Sequence, residues 1–205
     1  MRGARFRSAS AWPAILLAAA IISSLAMGAV ALAEPQGLPS AAAVVKPQAY
    51  VSLDPVPRGR EFEVAITVEI ARGFHMNSHK PSDDYLIPTT ITPQLPPGIK
   101  LGDTIYPAGQ LKKFAFSPNK PLDVYTGSVT LKLKLLAQAN AALGNMTIPV
   151  TLRYQACNDA ACLPPVKVPV NVMLEIAAAG AKARAVHAEV FSAASPAAVP
   201  ANLLK

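Results

Sequence analysis

The residues of this chain best suited to chemistry lie in RYQACNDAACLPPVKVPV, residues 153–170. This stretch holds both cysteines, Cys157 and Cys162, with four residues between them and Pro164-Pro165 just beyond. Two thiols at that spacing admit three chemistries: a covalent staple, a soft-metal clip, or a dithiol that trades electrons with a partner through a mixed disulfide. Closing so short a loop contributes about 2 kcal/mol in the chain-entropy view, the low end for disulfides. The pair is therefore a weak staple, and on the residues alone all three chemistries stay open.

Other constellations are less specific. His75 and His79 flank Met76 in GFHMNSH and offer nitrogen and sulfur donors to an ion such as Cu(I), provided the thiols are reduced. The plainer expectation is a pair of surface-loop histidines, with no metal and no cofactor. Asp83-Asp84 and Asp159 read as acids that solvate turns, and Asp159, if close, would raise the Cys157 thiol pKa. Tyr125 and Tyr154 read as core residues. No nucleophile-elbow glycine pattern supports hydrolase chemistry, and no C-x-x-C in a helical setting supports an ordinary thioredoxin.

The elements that must position the cysteines are strands. In REFEVAITVEI, Phe62, Val64, Ile66, Val68 and Ile70 alternate with Glu61, Glu63, Thr67 and Glu69, the pattern of a half-buried strand. The same alternation puts Val129, Leu131, Leu133 and Leu135 inward in SVTLKLKLL, and Ile148, Val150, Leu152 and Tyr154 inward in TIPVTLRYQ. In KVPVNVMLEI it puts Val168, Val170, Val172, Leu174 and Ile176 inward. AYVSLDP, YLIPTTITP and IKLGDTIYP are shorter candidates. Short one-faced strands without a convincing helix bury their apolar faces best as two packed sheets, so the expected fold is an all-β immunoglobulin-like sandwich over residues 49–176. Pro149 and Pro169 inside strand patterns imply edges or bulges.

Extending the alternation of TIPVTLRYQAC places Cys157 with Thr151, Arg153 and Gln155, outside the core, which predicts a surface thiol. If residues 145–154 and 167–176 form a hairpin, pairing Cys157 with Cys162 would set outward Thr151 against inward Val168. The ladder must therefore slip by one residue, and Pro164-Pro165, poor in donors, is the expected place.

The termini bound the setting. Arg2, Arg5 and Arg7 precede the apolar run AWPAILLAAAIISSLAMGAVALA, the signature of a secretory signal over residues 1–33 with cleavage after Ala33. Retention of that run as an anchor is the competing outcome. Residues 34–48 read as a Pro/Ala-rich linker and residues 177–205 as a mobile Ala-rich tail with at most one weak helix. Loss of the three signal arginines lowers the net charge from +7 to +4, and no basic run exceeds Lys112-Lys113, which argues against nucleic-acid binding. The expected compartment is an oxidising one, the bacterial periplasm, with no stable membrane insertion after cleavage.

At this point the sequence resembles a known family: the N-terminal, immunoglobulin-like periplasmic domain of the thiol:disulfide interchange protein DsbD. The resemblance rests on YQACNDAACLPP (154–165), GFHMNSHKPSDDYLIPTTI (73–91) and FSPNKPLDVYTGSVTLKL (116–133). It implies that Cys157 and Cys162 cycle between dithiol and disulfide in a stand-alone secreted chain. Electrons would come from a membrane-embedded thiol reductant on a separate chain. Acceptors would be periplasmic thioredoxin-like proteins, disulfide isomerases or cytochrome c maturation factors. By analogy Cys157 is the attacker and Cys162 the resolver, and Phe116, in preference to Phe114, belongs to a cap loop that shields the pair.

Overall fold

The structure, a computed structural model, describes residues 38–192. The expected signal segment, 1–33, lies outside them. In chain order the strands are β1 (Val45–Val51), β2 (Leu53–Asp54), β3 (Val56–Pro57), β4 (Glu61–Ile70), β5 (His75–Asn77), β6 (Thr90–Pro93) and β7 (Ile99–Ile105). They continue as β8 (Gln110–Phe114), β9 (Ser117–Tyr125), β10 (Ser128–Ala137), β11 (Gly144–Tyr154), β12 (Ala156–Cys157), β13 (Val166–Ala177) and β14 (Arg184–Ala185).

Two four-stranded sheets, ordered β1-β4-β10-β7 and β3-β13-β11-β6, form the expected all-β immunoglobulin-like sandwich. Their inward residues merge in one core: Phe62, Val64, Ile66 and Val68 from one sheet meet Ile148, Val150, Leu152 and Val172 from the other. These are the positions picked out by alternation, because one face of each strand is withdrawn from water. A third sheet, β12-β5-β9-β8, extends from the sandwich and carries the cysteine segment.

Pro149 departs from the edge-strand expectation. It lies in β11, which has β13 on one side and β6 on the other. Its carbonyl accepts from Gln94 N–H at 2.7 Å, beyond the last paired residue of β6, Pro93. The donor-less nitrogen faces the same Gln94, so the reciprocal bond of that pair is missing and the regular β6 ladder stops at Pro93.

The domain also begins earlier than the linker expectation placed it. A single helical turn, α1 (Ala41–Val44), leads directly into β1, and Ala41, Val44 and Val45 are buried. The hydroxyl of fully buried Tyr154 donates to the Ala41 carbonyl at 2.9 Å, so this stretch is part of the core. Its small residues hid it, since three alanines and two valines show no strand period. At the other end, residue 177 completes β13, β14 pairs with β2, and α2 (Ala188–Phe191) forms a turn whose Phe191 carbonyl accepts from Lys132 Nζ at 2.8 Å. Residues 193–205 of the expected tail lie outside the described ones.

Candidate functional site

Cys157 and Cys162 are joined by a disulfide and face each other across an isolated antiparallel bridge at the end of the β11–β13 hairpin. The connecting turn is held by Asn158, whose Oδ1 accepts from Ala160 N–H at 2.9 Å and Ala161 N–H at 2.8 Å. An Asn side chain that imitates a backbone acceptor is what makes so short a turn stable. Asn158 N–H in turn donates to the Ala161 carbonyl at 2.9 Å.

The register shift occurs where the sequence placed it. Thr151 pairs with Pro169 and Tyr154 with Val166, whereas Leu163 N–H donates to the Ala156 carbonyl. Gln155 therefore stands opposite both Pro164 and Pro165. The slip keeps Leu152 opposite Val168 and the apolar faces together while still aligning the two sulfurs.

Cys157 contradicts the parity expectation. It is 1% exposed, and its neighbour Ala156 is fully buried, so alternation fails at this point. The reason is tertiary. Strand β11 ends at Tyr154, and after Gln155 the chain changes sheets, with β12 pairing to β5 through Ala156↔Met76 and Cys157↔His75. A strand that changes sheets resets which side faces the core. Cys162, on the return of the turn, is exposed.

Strand β5 brings the histidine motif to the site in a form the sequence did not disclose. His75 is 3% exposed rather than on a surface loop, and its Nε2 is buried without a hydrogen-bond partner. Burial pushes the imidazole pKa down from 6.5 to about 4; nearby Asp159 opposes this and Lys112 adds to it, each more weakly. Asp159 therefore acts on His75, while Cys157, being bridged, carries no ionisable thiol. His79 is also packed: its ring stacks on Tyr106 at 3.5 Å and its Nδ1–H donates to the Thr89 carbonyl at 3.1 Å. The two histidines are thus engaged separately, and among the described residues no group of three His, Cys, Asp or Glu could hold a metal ion.

Asn77, next on the same strand, ties the site to its surroundings. Its Nδ2 donates to the Ile87 carbonyl at 3.1 Å and to Gln155 Oε1 at 3.3 Å, while Gln155 Nε2 donates to the Leu163 carbonyl at 3.4 Å. Gln155, the residue at the sheet change, thereby connects both arms of the bridge. Tyr125, whose hydroxyl donates to the Pro107 carbonyl at 2.9 Å, and Tyr154 are both core residues, and burial pushes the Tyr154 hydroxyl up to about 12.

The hairpin of β8 and β9 turns at Ala115-Phe116 beside the site. Phe114 is buried with Leu86, Leu122 and Val124 and stacks on His75 with ring centroids 4.2 Å apart. Phe116, 51% exposed, stacks on Phe114 at 5.3 Å. A column of three rings therefore runs outward from the residue paired with Cys157. Nothing local in the sequence could reveal it, because its members come from β5 and a hairpin tip joined only through the third sheet.

Three comparisons place this architecture among known proteins. The family model described as "Thiol:disulfide interchange protein DsbD, N-terminal" matches residues 41–173. No curated protein matches the chain. Among solved structures, the N-terminal periplasmic domain of ScsB from Proteus mirabilis aligns at 13% identity and a TM-score of 0.43, covering 60% of this chain and 44% of that one. The chain thus spans less than half the length of that structure. A complex between the DsbD N-terminal and PilB N-terminal domains from Neisseria meningitidis aligns at 20% identity and a TM-score of 0.41, covering 65% of this chain and 85% of that one.

Proposed function

The chain belongs to the family of DsbD N-terminal domains, and from that premise we propose that it is a periplasmic module relaying reducing equivalents by thiol–disulfide exchange. The donor is a membrane-embedded thiol reductant and the acceptors are thioredoxin-like proteins or disulfide isomerases, reached after export through the signal segment. The observation that carries the reading is the unequal exposure of a bridged pair, Cys157 buried in a sheet and Cys162 exposed on a turn.

That asymmetry supports a division of labour opposite to the one implied by the family resemblance. A donor thiolate meets the Cys162 sulfur first, forms a mixed disulfide there, and expels Cys157 as the leaving thiolate. A second donor thiol then resolves the mixed disulfide, leaving the donor oxidised and both cysteines reduced. In the forward transfer Cys162 attacks the acceptor disulfide, and Cys157 attacks Cys162 to restore the bridge and release the reduced acceptor. Two electrons pass in each half, and the protons move between thiols and solvent. The column His75–Phe114–Phe116 supports a shielding role for the β8–β9 hairpin, with Phe114 the inner ring and Phe116 the outer one.

The test is the equilibrium reduction potential of the mature domain, titrated against a dithiol buffer and read by thiol alkylation and mass. A value of about −200 to −270 mV lies with exchange proteins and supports the relay. A value well below about −300 mV would make the bridge a staple in a non-catalytic interaction domain.

A further inference from the structure

A cleft of about 520 Å³ opens beside the bridge. Arg72, Lys112 and Lys113 line it, together with the rings of Phe74, His75 and Phe114 and a single acid, Asp159. Neither cysteine lines the cleft; it is tied to the bridge through His75, the cross-strand partner of Cys157, and through Asp159, in the turn that the bridge closes. Arg72 comes from the turn after β4 and the lysines from β8, so two distant segments converge three cations on one opening.

The fold draws no visible stability from that convergence. All three cations are exposed, and none takes part in an ion pair among the described residues. The recorded side-chain partner of Lys112 is a neutral hydroxyl, Thr126 Oγ1, at 3.3 Å. Like charges gathered on a surface repel one another, and they attract anions over roughly a Debye length of 8–10 Å. Strand β8 is moreover the edge of its sheet, with one row of backbone groups unpaired. An edge strand flanking a cleft suits an extended peptide better than a small anion.

We propose that this cleft receives an acidic segment of the partner protein, with Asp or Glu side chains close to the partner's own cysteine. Docking there sets the partner sulfur against the exposed side of the Cys157–Cys162 bridge. The proposal rests on the exchange reading for its purpose and adds what that reading lacks, a chemical criterion for which partners are served. Apolar contact with Phe74 and Phe114 supplies affinity, and the cations select charge and speed encounter.

The test is binding of a labelled, cysteine-free acidic peptide and of its Asn/Gln counterpart to the mature domain, by fluorescence anisotropy at low and high salt. The acidic peptide should bind roughly tenfold or more tightly than the neutral one at low salt, with the advantage collapsing as screening rises. R72E/K112E/K113E should abolish the preference, and the milder K112Q/K113Q, which leaves Arg72 and the fold in place, should reduce it. Equal binding of the two peptides, or a preference that survives both variants, would overturn the proposal. Edge lysines that serve only to repel stray strands would give that equal result. Reaction of the pre-reduced, dithiol form of the wild-type domain with neutral hydroxyethyl disulfide, which re-forms the Cys157–Cys162 bridge and releases two mercaptoethanol thiols, is run in parallel and reports on exchange separately. If that reaction fails while the acidic preference holds, the docking surface stands and the relay reading falls.

Discussion

His75 and Cys157 sit directly opposite each other on β5 and β12, one with a buried imidazole lacking a partner at Nε2, the other forming half of the bridge. Paired residues of an antiparallel ladder project from the same face, with Cβ atoms about 5 Å apart. The aromatic column ending at Phe116 and the sulfur chemistry therefore share one support.

Acid should weaken the fold through His75. Its imidazole is held at about 4 in the folded chain against 6.5 in the unfolded one. Between those values the unfolded chain binds a proton that the folded chain refuses, so stability rises with pH across this window. The contribution is complete above the unfolded value and is lost as pH falls toward the folded one, by up to about 3 kcal/mol. His75→Phe preserves a ring against Phe114 and removes the titration. Urea midpoints of the variant should vary less between neutral pH and the folded pKa than those of the wild type. Parallel curves would remove His75 as the source.

Unequal burial should make the two thiols unequal once the bridge is reduced. Pulse alkylation with iodoacetamide is expected to label Cys162 about tenfold faster than Cys157, since labelling requires an accessible thiolate. The Cys157→Ala variant should form a stable mixed disulfide through Cys162, whereas Cys162→Ala should trap a partner poorly. Equal trapping by both variants would defeat the assignment of Cys162 as the first sulfur met.

The two phenylalanines of the hairpin should separate packing from shielding. Phe114→Ala empties a buried cluster and is expected to cost about 3 kcal/mol, measured by urea unfolding. Phe116→Ala, on an exposed ring, should cost less than about 0.5 kcal/mol. If the hairpin shields the bridge, Phe116→Ala should still accelerate reduction of the disulfide by a small dithiol. An unchanged rate would leave Phe116 without a capping role.

Tyr154 should anchor the start of the domain. Tyr154→Phe deletes the hydroxyl that donates to the Ala41 carbonyl and leaves a buried acceptor unpaired, a loss of about 1–3 kcal/mol. The cost should appear locally, as faster amide hydrogen exchange at Val44 and along β1. A uniform change across the domain would show that the bond is not specific to this segment.

Reducing the bridge should leave a folded domain. The core of both large sheets closes without the cysteines, and a loop this short is worth about 2 kcal/mol on the chain-entropy view. Circular dichroism of the dithiol form should retain the strand signal with a lower urea midpoint. Unfolding on reduction would favour the staple.

The sequence by itself determined the sandwich, because alternation in residues 61–70, 129–135, 148–154 and 168–176 leaves one apolar face per strand that only a second sheet can cover. It also determined the slip opposite Pro164-Pro165, since face matching along the ladder and closure of the cysteine pair cannot both be met without an extra residue. Tertiary structure alone decided that Cys157 is buried and Cys162 exposed. Periodicity describes a strand within one sheet, and at Gln155 the chain leaves one sheet for another. The same non-local pairing set His75 beside Cys157, stacked Phe114 on His75, and drew Ala41 to Tyr154. Each of these contacts joins segments far apart along the chain, and no local pattern encodes a neighbour that the fold brings in from elsewhere.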